Sequence, residues 1–147
     1  MRKAKKKKKK RKNNYKRNVK VYITVNTLIF EDEFEEVVNF IDFLYRSDVD
    51  GILLQDLGLA YYLHNCYPEL ILHVSTQLNC HNVSEAKALI NLGFKRLVLA
   101  REVSLEEAKR IKDLGVEVEV FVHGALCVSY SGQCLMSSFI GNRSGNR

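Results

Sequence analysis

Short runs of alternating apolar and polar residues are followed, again and again along this chain, by apolar residues at helical spacing. From Val19 to Thr27 the β-branched residues fall at every second position, which predicts a strand ending at Asn26-Thr27. Between Glu31 and Tyr45, Phe34, Val37, Val38, Ile41 and Leu44 share one helical face, with acidic residues opposite. Asp50 to Asp56 reads as a short buried strand, and Leu57 to Asn65 as a helix that must stop before Pro68, because a proline pushes the residue ahead of it out of the α region. Leu70 to Thr76 is the third strand. Val83 to Leu92 is the next helix, closed by Gly93 in the left-handed conformation glycine adopts most easily. Arg96 to Ala100 is the fourth strand. Ser104 with Glu107 forms a capping box for a helix ending at Gly115, and Val116 to Val122 is the fifth strand.

Strand starts near 19, 50, 70, 96 and 116 describe repeated βα units, and hence parallel strands in either an open doubly wound sheet or a barrel. No Gly-x-Gly-x-x-Gly follows any strand, which argues against a dinucleotide fold. Polar residues collect where the strands end: Asn26; Gln55 and Asp56; Ser75, Thr76 and Gln77; Arg101 and Glu102; His123. In a (β/α) barrel that end is the active-site mouth, to which several strands each contribute a residue. Caps on strand ends would account for one or two of these residues, not for a series over five strands. The expected fold class is therefore α/β, an incomplete TIM-like (β/α) barrel of about five parallel βα units, since a whole barrel has about eight strands and 250 residues.

The 147 residues are 46% hydrophobic, enough for one domain with a core. The net charge of +6 belongs to the beginning of the chain: residues 1–20 hold 13 of the 23 Lys and Arg and no acid, leaving 10 basic against 17 acidic residues in the remainder. Residues 1–18 are expected to be a disordered basic tail able to bind nucleic acid by counterion release, and residues 19–147 the barrel domain. No apolar stretch approaches the about 20 residues of a membrane span, and the lysine run leads into Asn13-Asn14 rather than the apolar segment of a signal peptide. Four cysteines without an export signal point to reduced thiols and a cytoplasmic location, which disfavours a secreted protein.

Cys127 and Cys134, in a polar loop after the fifth strand, are candidate soft-metal or iron–sulfur ligands, although two thiolates do not complete such a site. Arg101 suits an anionic group and Glu102 could accept a proton, with a strand-end ion pair as the alternative. Cys66 and Cys80 read as packing residues, and His64, His73 and His81 as structural. Neither a His-Glu-x-x-His helix nor a Gly-x-Ser-x-Gly elbow occurs, so these residues give a peptidase no mechanism.

The run from Glu119 through His123-Gly124 to Cys127, then Tyr130-Ser-Gly-Gln-Cys134 and Ser137-Ser138, resembles the signature of peptidase family U32. Val25-Asn26-Thr27, Gln55-Asp56-Leu57-Gly58, Ser75-Thr76-Gln77-Leu78-Asn79 and Leu99-Ala100-Arg101-Glu102 agree with it, so the resemblance covers about Lys20 to Arg147. It implies a fragment of a larger barrel, in which Cys127 and Cys134 supply two ligands of a 4Fe–4S cluster and later cysteines supply the others. This chain alone is expected to hold no cluster. The family's activities are collagenase-like peptidase and oxygen-independent hydroxylation of a tRNA uridine, an rRNA cytidine or a ubiquinone precursor. Hydroxylation of RNA is the expected activity of the intact protein, the peptidase is the alternative, and a non-catalytic remnant is a third reading for this chain. On this reading Arg101, Glu102, His123 and Asp56 are the catalytic candidates, while Asn26, Gln55, Ser75, Gln77 and Glu119 are the substrate-binding ones. The lysine run suggests slippage in an adenine tract, and hence a frameshifted or truncated gene piece. Exposed sheet edges are expected to drive self-association.

Overall fold

The computed structural model describes residues 19–141; the basic tail expected over residues 1–18 lies outside them. Five strands alternate with helices: β1 (Tyr22–Val25), α1 (Phe34–Arg46), β2 (Gly51–Leu54), α2 (Leu57–Cys66), β3 (Leu72–Val74), α3 (Val83–Asn91), β4 (Phe94–Val98), α4 (Leu105–Lys112) and β5 (Glu117–Glu119). A short α5 (Met136–Gly141) follows the loop after β5. All neighbouring strands pair in parallel, in the order β1-β2-β3-β4-β5. A doubly wound sheet reverses its strand order at a switch point. This one does not, which makes it an arc of a barrel and bears out the expected βα series.

The alternation along each strand sorts its side chains between two faces. Ile23 and Val25, Ile52 and Leu54, Leu72 and Val74, Leu97 and Leu99, and Val116 and Val118 pack with apolar residues of α1 to α4 in one cluster. Ile41 of α1, Leu59 and Leu63 of α2, and Ile111 of α4 are fully buried there. The opposite face carries a polar row. The Tyr22 and His73 rings lie 4.9 Å apart, the Arg96 guanidinium sits 5.1 Å from the Tyr22 ring centre, and Arg96 Nη2 pairs with Glu117 at 2.8 Å.

Boundaries shift where partners run out. β1 occupies four of the nine residues from Val19 to Thr27, matching its four rungs with β2. The helix expected from Glu31 opens with a 3-10 turn at Glu31–Glu33, and α1 starts at Phe34. The fifth strand ends at Glu119 instead of Val122, because among the described residues β5 pairs only with β4 and the last bond between their ends runs from Leu99 N–H to the Glu119 carbonyl, 3.0 Å. Val122 consequently stands 87% exposed. No helix among the described residues is long and apolar enough to cross a membrane.

Candidate functional site at the strand ends

Parallel strands in sequential order bring all five carboxyl ends to one rim. After β1, Asn26 donates through Nδ2 to Ser75 Oγ after β3, 3.4 Å, across the end of β2. The same Ser75 hydroxyl accepts from the Gln77 N–H at 3.2 Å, capping the 3-10 turn Thr76–Leu78. Gln55 is buried after β2, with Nε2 donating to the Gln77 carbonyl at 3.2 Å and Oε1 lacking any partner among the described residues. A carbonyl can only accept, so this contact fixes which end of the amide is which. The oriented acceptor is buried beneath the rim.

Asp56 binds backbone on both sides. Oδ1 accepts from Leu59 N–H at 2.8 Å, capping α2, and Oδ2 accepts from Ile29 N–H at 3.1 Å, tying down the segment after β1. Such a cap satisfies backbone donors that a helix start leaves open. Both carboxylate oxygens are engaged with backbone.

Arg101 and Glu102 hold the loop after β5. Arg101 Nη1 donates to the Cys127 carbonyl, Nη2 to the Ser129 carbonyl, and Nε to Ser131 Oγ at 3.2 Å; its backbone N–H reaches the same hydroxyl at 3.0 Å. Glu102 accepts from Ser131 N–H at 3.0 Å, and its carboxylate lies 4.0 Å from Arg101 Nη2. Burial alone would raise the Glu102 carboxyl. Hydrogen bonds from its own backbone and from Ser131, with Arg101 close by, hold it below the usual carboxylate range. Ser131 is 1% exposed, and Gly132 lies directly against the Gln77 carbonyl. Within Tyr130-Ser-Gly-Gln-Cys134 the cysteine is the site candidate the sequence offers, and the Ser-Gly pair ahead of it is the signal for this anchor.

The anchored loop walls a cleft of about 240 Å³ lined by Thr76, Gln77, Arg101, Phe121, Cys127 and Cys134, among others. Cys127 and Cys134 both line this cleft. Cys127 lies below the ordinary thiol range, first because of the hydrogen bond from the Ser129 backbone, then through the contacts with Cys134 and the Ser129 hydroxyl and the nearby Arg101 charge. Two adjacent, accessible thiols beside a cation suit half of a four-thiolate site. No cluster of three or more His, Cys, Asp or Glu residues able to hold a metal occurs among the described residues.

Other candidates stand apart from the cleft. Glu119 turns to Arg96, 3.5 Å from Nη1, within the polar row of the inner sheet face. His123 is exposed in the loop after β5 and does not line the cleft. Cys80 is fully buried, and burial pushes its thiol up to about 12.

Comparison with known proteins places this geometry in a lineage. The 23S rRNA 5-hydroxycytidine C2501 synthase of Escherichia coli is 40% identical over 134 residues, covering 90% of this chain and 20% of that protein. The tRNA hydroxylation protein P of the same organism is 34% identical over 87% of this chain and 29% of its own length. A collagenase of Porphyromonas gingivalis is 32% identical over 89% of this chain and 34% of its own length. The chain thus spans about a fifth to a third of the curated relatives it matches. The solved structure of the U32 peptidase Mk0906 has the same fold, with a TM-score of 0.57 at 21% identity, over 69% of this chain and 44% of that one. The profile of Peptidase family U32 matches residues 4–147, and the chain belongs to that family.

Proposed function

We propose that this chain is part of a U32 protein that hydroxylates a pyrimidine of RNA without molecular oxygen, using an iron–sulfur cluster to which Cys127 and Cys134 give two of the ligands. The observation that carries this reading is that Cys127 and Cys134 line one cleft with Arg101, whose guanidinium donates to the Cys127 carbonyl. When bound, such a cluster supplies one-electron chemistry. The relatives named for rRNA and tRNA hydroxylation support RNA as the substrate class. Asn26, Gln55, Ser75 and Gln77 would face the base, with Gln55 Oε1 accepting a base N–H. Arg101 and Glu102 would keep the thiols in place, and Asp56 would support the rim. The basic residues of the tail would add sequence-independent attraction to phosphates.

The relative named as a collagenase favours a second reading, a peptidase. Against it, the two buried serines at the rim already accept hydrogen bonds, Ser75 from Gln77 N–H and Ser131 from Arg101. Iron and acid-labile sulfide in the full-length protein, with loss of 5-hydroxyuridine or 5-hydroxycytidine from RNA of a deletion strain, are the expected results. Gelatin cleavage by clean protein, abolished by a point substitution and unaccompanied by any change in RNA, would establish the peptidase instead.

A further inference from the structure

The loop Gly124 to Cys134 contains neither strand nor helix, and its internal backbone bonds are limited to Leu126 N–H to the Gly124 carbonyl and Gln133 N–H to the Tyr130 carbonyl. Its place relative to the sheet is set from outside. Four hydrogen bonds from Arg101 and one to Glu102 reach Cys127, Ser129 and Ser131, across 26 to 30 residues of sequence. The Arg101 side chain is only 16% exposed, and Nε, Nη1 and Nη2 are all engaged with the loop. A planar guanidinium can address three acceptors at once in fixed directions; a lysine ammonium cannot do so in that geometry.

We propose that Arg101 is a positioning residue for the cysteine pair: its fork grips the loop at the Cys127 and Ser129 carbonyls and the Ser131 hydroxyl, and so sets the spacing of the two thiols before anything binds them. The guanidinium acts through the backbone of Cys127 and the residues that follow, leaving both sulfurs free for a ligand. A free loop of this length would sample many Cys127–Cys134 separations, and closing it on a ligand would cost ordering entropy at that moment. The clamp removes that cost in advance. This inference concerns thiol spacing alone and stands whether the parent protein modifies RNA or cleaves peptides.

Phenylarsine oxide tests it without iron. Its trivalent arsenic forms two As–S bonds, the two thiol protons leave with the oxide oxygen as water, and no atom changes oxidation state. On the reduced 147-residue chain, mass spectrometry should locate the bridge between Cys127 and Cys134. Arg101→Ala should weaken the affinity roughly tenfold or more, the range seen when groups that orient metal ligands are removed. Arg101→Lys should recover only part of it, and Ser131→Ala should fall between wild type and Arg101→Ala. Amide exchange should rise over residues 126–134 while β2 and β3 keep their protection. Unchanged affinity in Arg101→Ala, full recovery in Arg101→Lys, or absence of the bridge in wild type would overturn the proposal. Lost protection spreading through β2 and β3 would also overturn it, because it would assign Arg101 to the fold at large.

Discussion

At Gly132 the backbone passes so close to Gln77 that a Cβ would come within 2.2 Å of the Gln77 carbonyl oxygen, and φ is +73°. Two independent constraints, space and the left-handed backbone, therefore exclude a side chain. Gly132→Ala should displace the loop and cost about 1–3 kcal/mol, read as a lower urea midpoint together with faster amide exchange over residues 126–134. An unchanged midpoint would mean that the Gln77 turn yields freely. His73 carries the second prediction at this scale. It is 3% exposed, and burial, then the Arg96 charge, lowers its pKa from 6.5 to about 4, with Glu117 opposing. The folded protein thus prefers the neutral ring, and between those two values the unfolded chain binds more protons. Stability from this residue is full above pH 6.5 and is lost as the pH falls toward 4, by up to about 3 kcal/mol. Urea titrations at pH 7 and pH 5 should show the drop, and His73→Gln should flatten it; an equal drop in the variant would place the titrating group elsewhere.

Among the elements, α4 is the one whose start is most fully specified by its own sequence. Ser104 Oγ accepts from Glu107 N–H at 3.2 Å, while Glu107 accepts from Ser104 N–H at 2.9 Å. Ser104→Ala should cost about 1 kcal/mol, seen as a lower melting temperature, and an unchanged melt would show that packing of Ile111 alone holds the helix. This box was legible in the sequence because its two partners lie three residues apart, as were Gly93 as a helix stop, with φ +94°, and the βα series itself. Harder to read were features whose partners lie far along the chain. β5 stops at Glu119 because its only neighbour among the described residues is β4, a limit that the continued alternation to Val122 does not reveal. Arg101 and Asp56 have charges suited to chemistry, yet their hydrogen-bond partners, 26 to 30 and 27 residues away along the chain, turn the first into a loop anchor and the second into a tie between two segments as well as a cap. Glu119, a substrate-contact candidate of the motif, lies across from Val98 in the pairing register and within reach of Arg96, a contact that sequence spacing does not reveal.

On the scale of the whole molecule, the sheet has two edges, β1 and β5, without a partner strand among the described residues. Each edge is a row of backbone donors and acceptors open to another chain, and a closed barrel would have neither. Apolar side chains are also exposed among the residues that follow β5 in the sequence: Phe121 is 53% exposed, Val128 fully exposed, Phe139 85% and Ile140 81%. Exposed apolar side chains and an open edge both favour association. Little on the other edge opposes pairing, since β1 is Tyr-Ile-Thr-Val without charge or proline. The expected behaviour of the 147-residue chain is therefore self-association, through β1, β5 or both, with no stable iron–sulfur cluster, because Cys127 and Cys134 provide two thiolates where about four are needed. In a full-length protein the same edges would take up further strands. Sedimentation across a concentration series should give masses above the 16.9 kDa of one chain, and an iron assay on the purified chain should stay at background. Lysine substitutions at Ile23 and Thr24 would tell the edges apart only at Thr24, since Ile23 packs against the helices. Thr24→Lys should reduce the associated fraction if β1 is the contact and leave it unchanged if β5 is. A monodisperse, iron-loaded monomer that melts cooperatively would mean that the open edges are covered and the site completed by residues of this same chain.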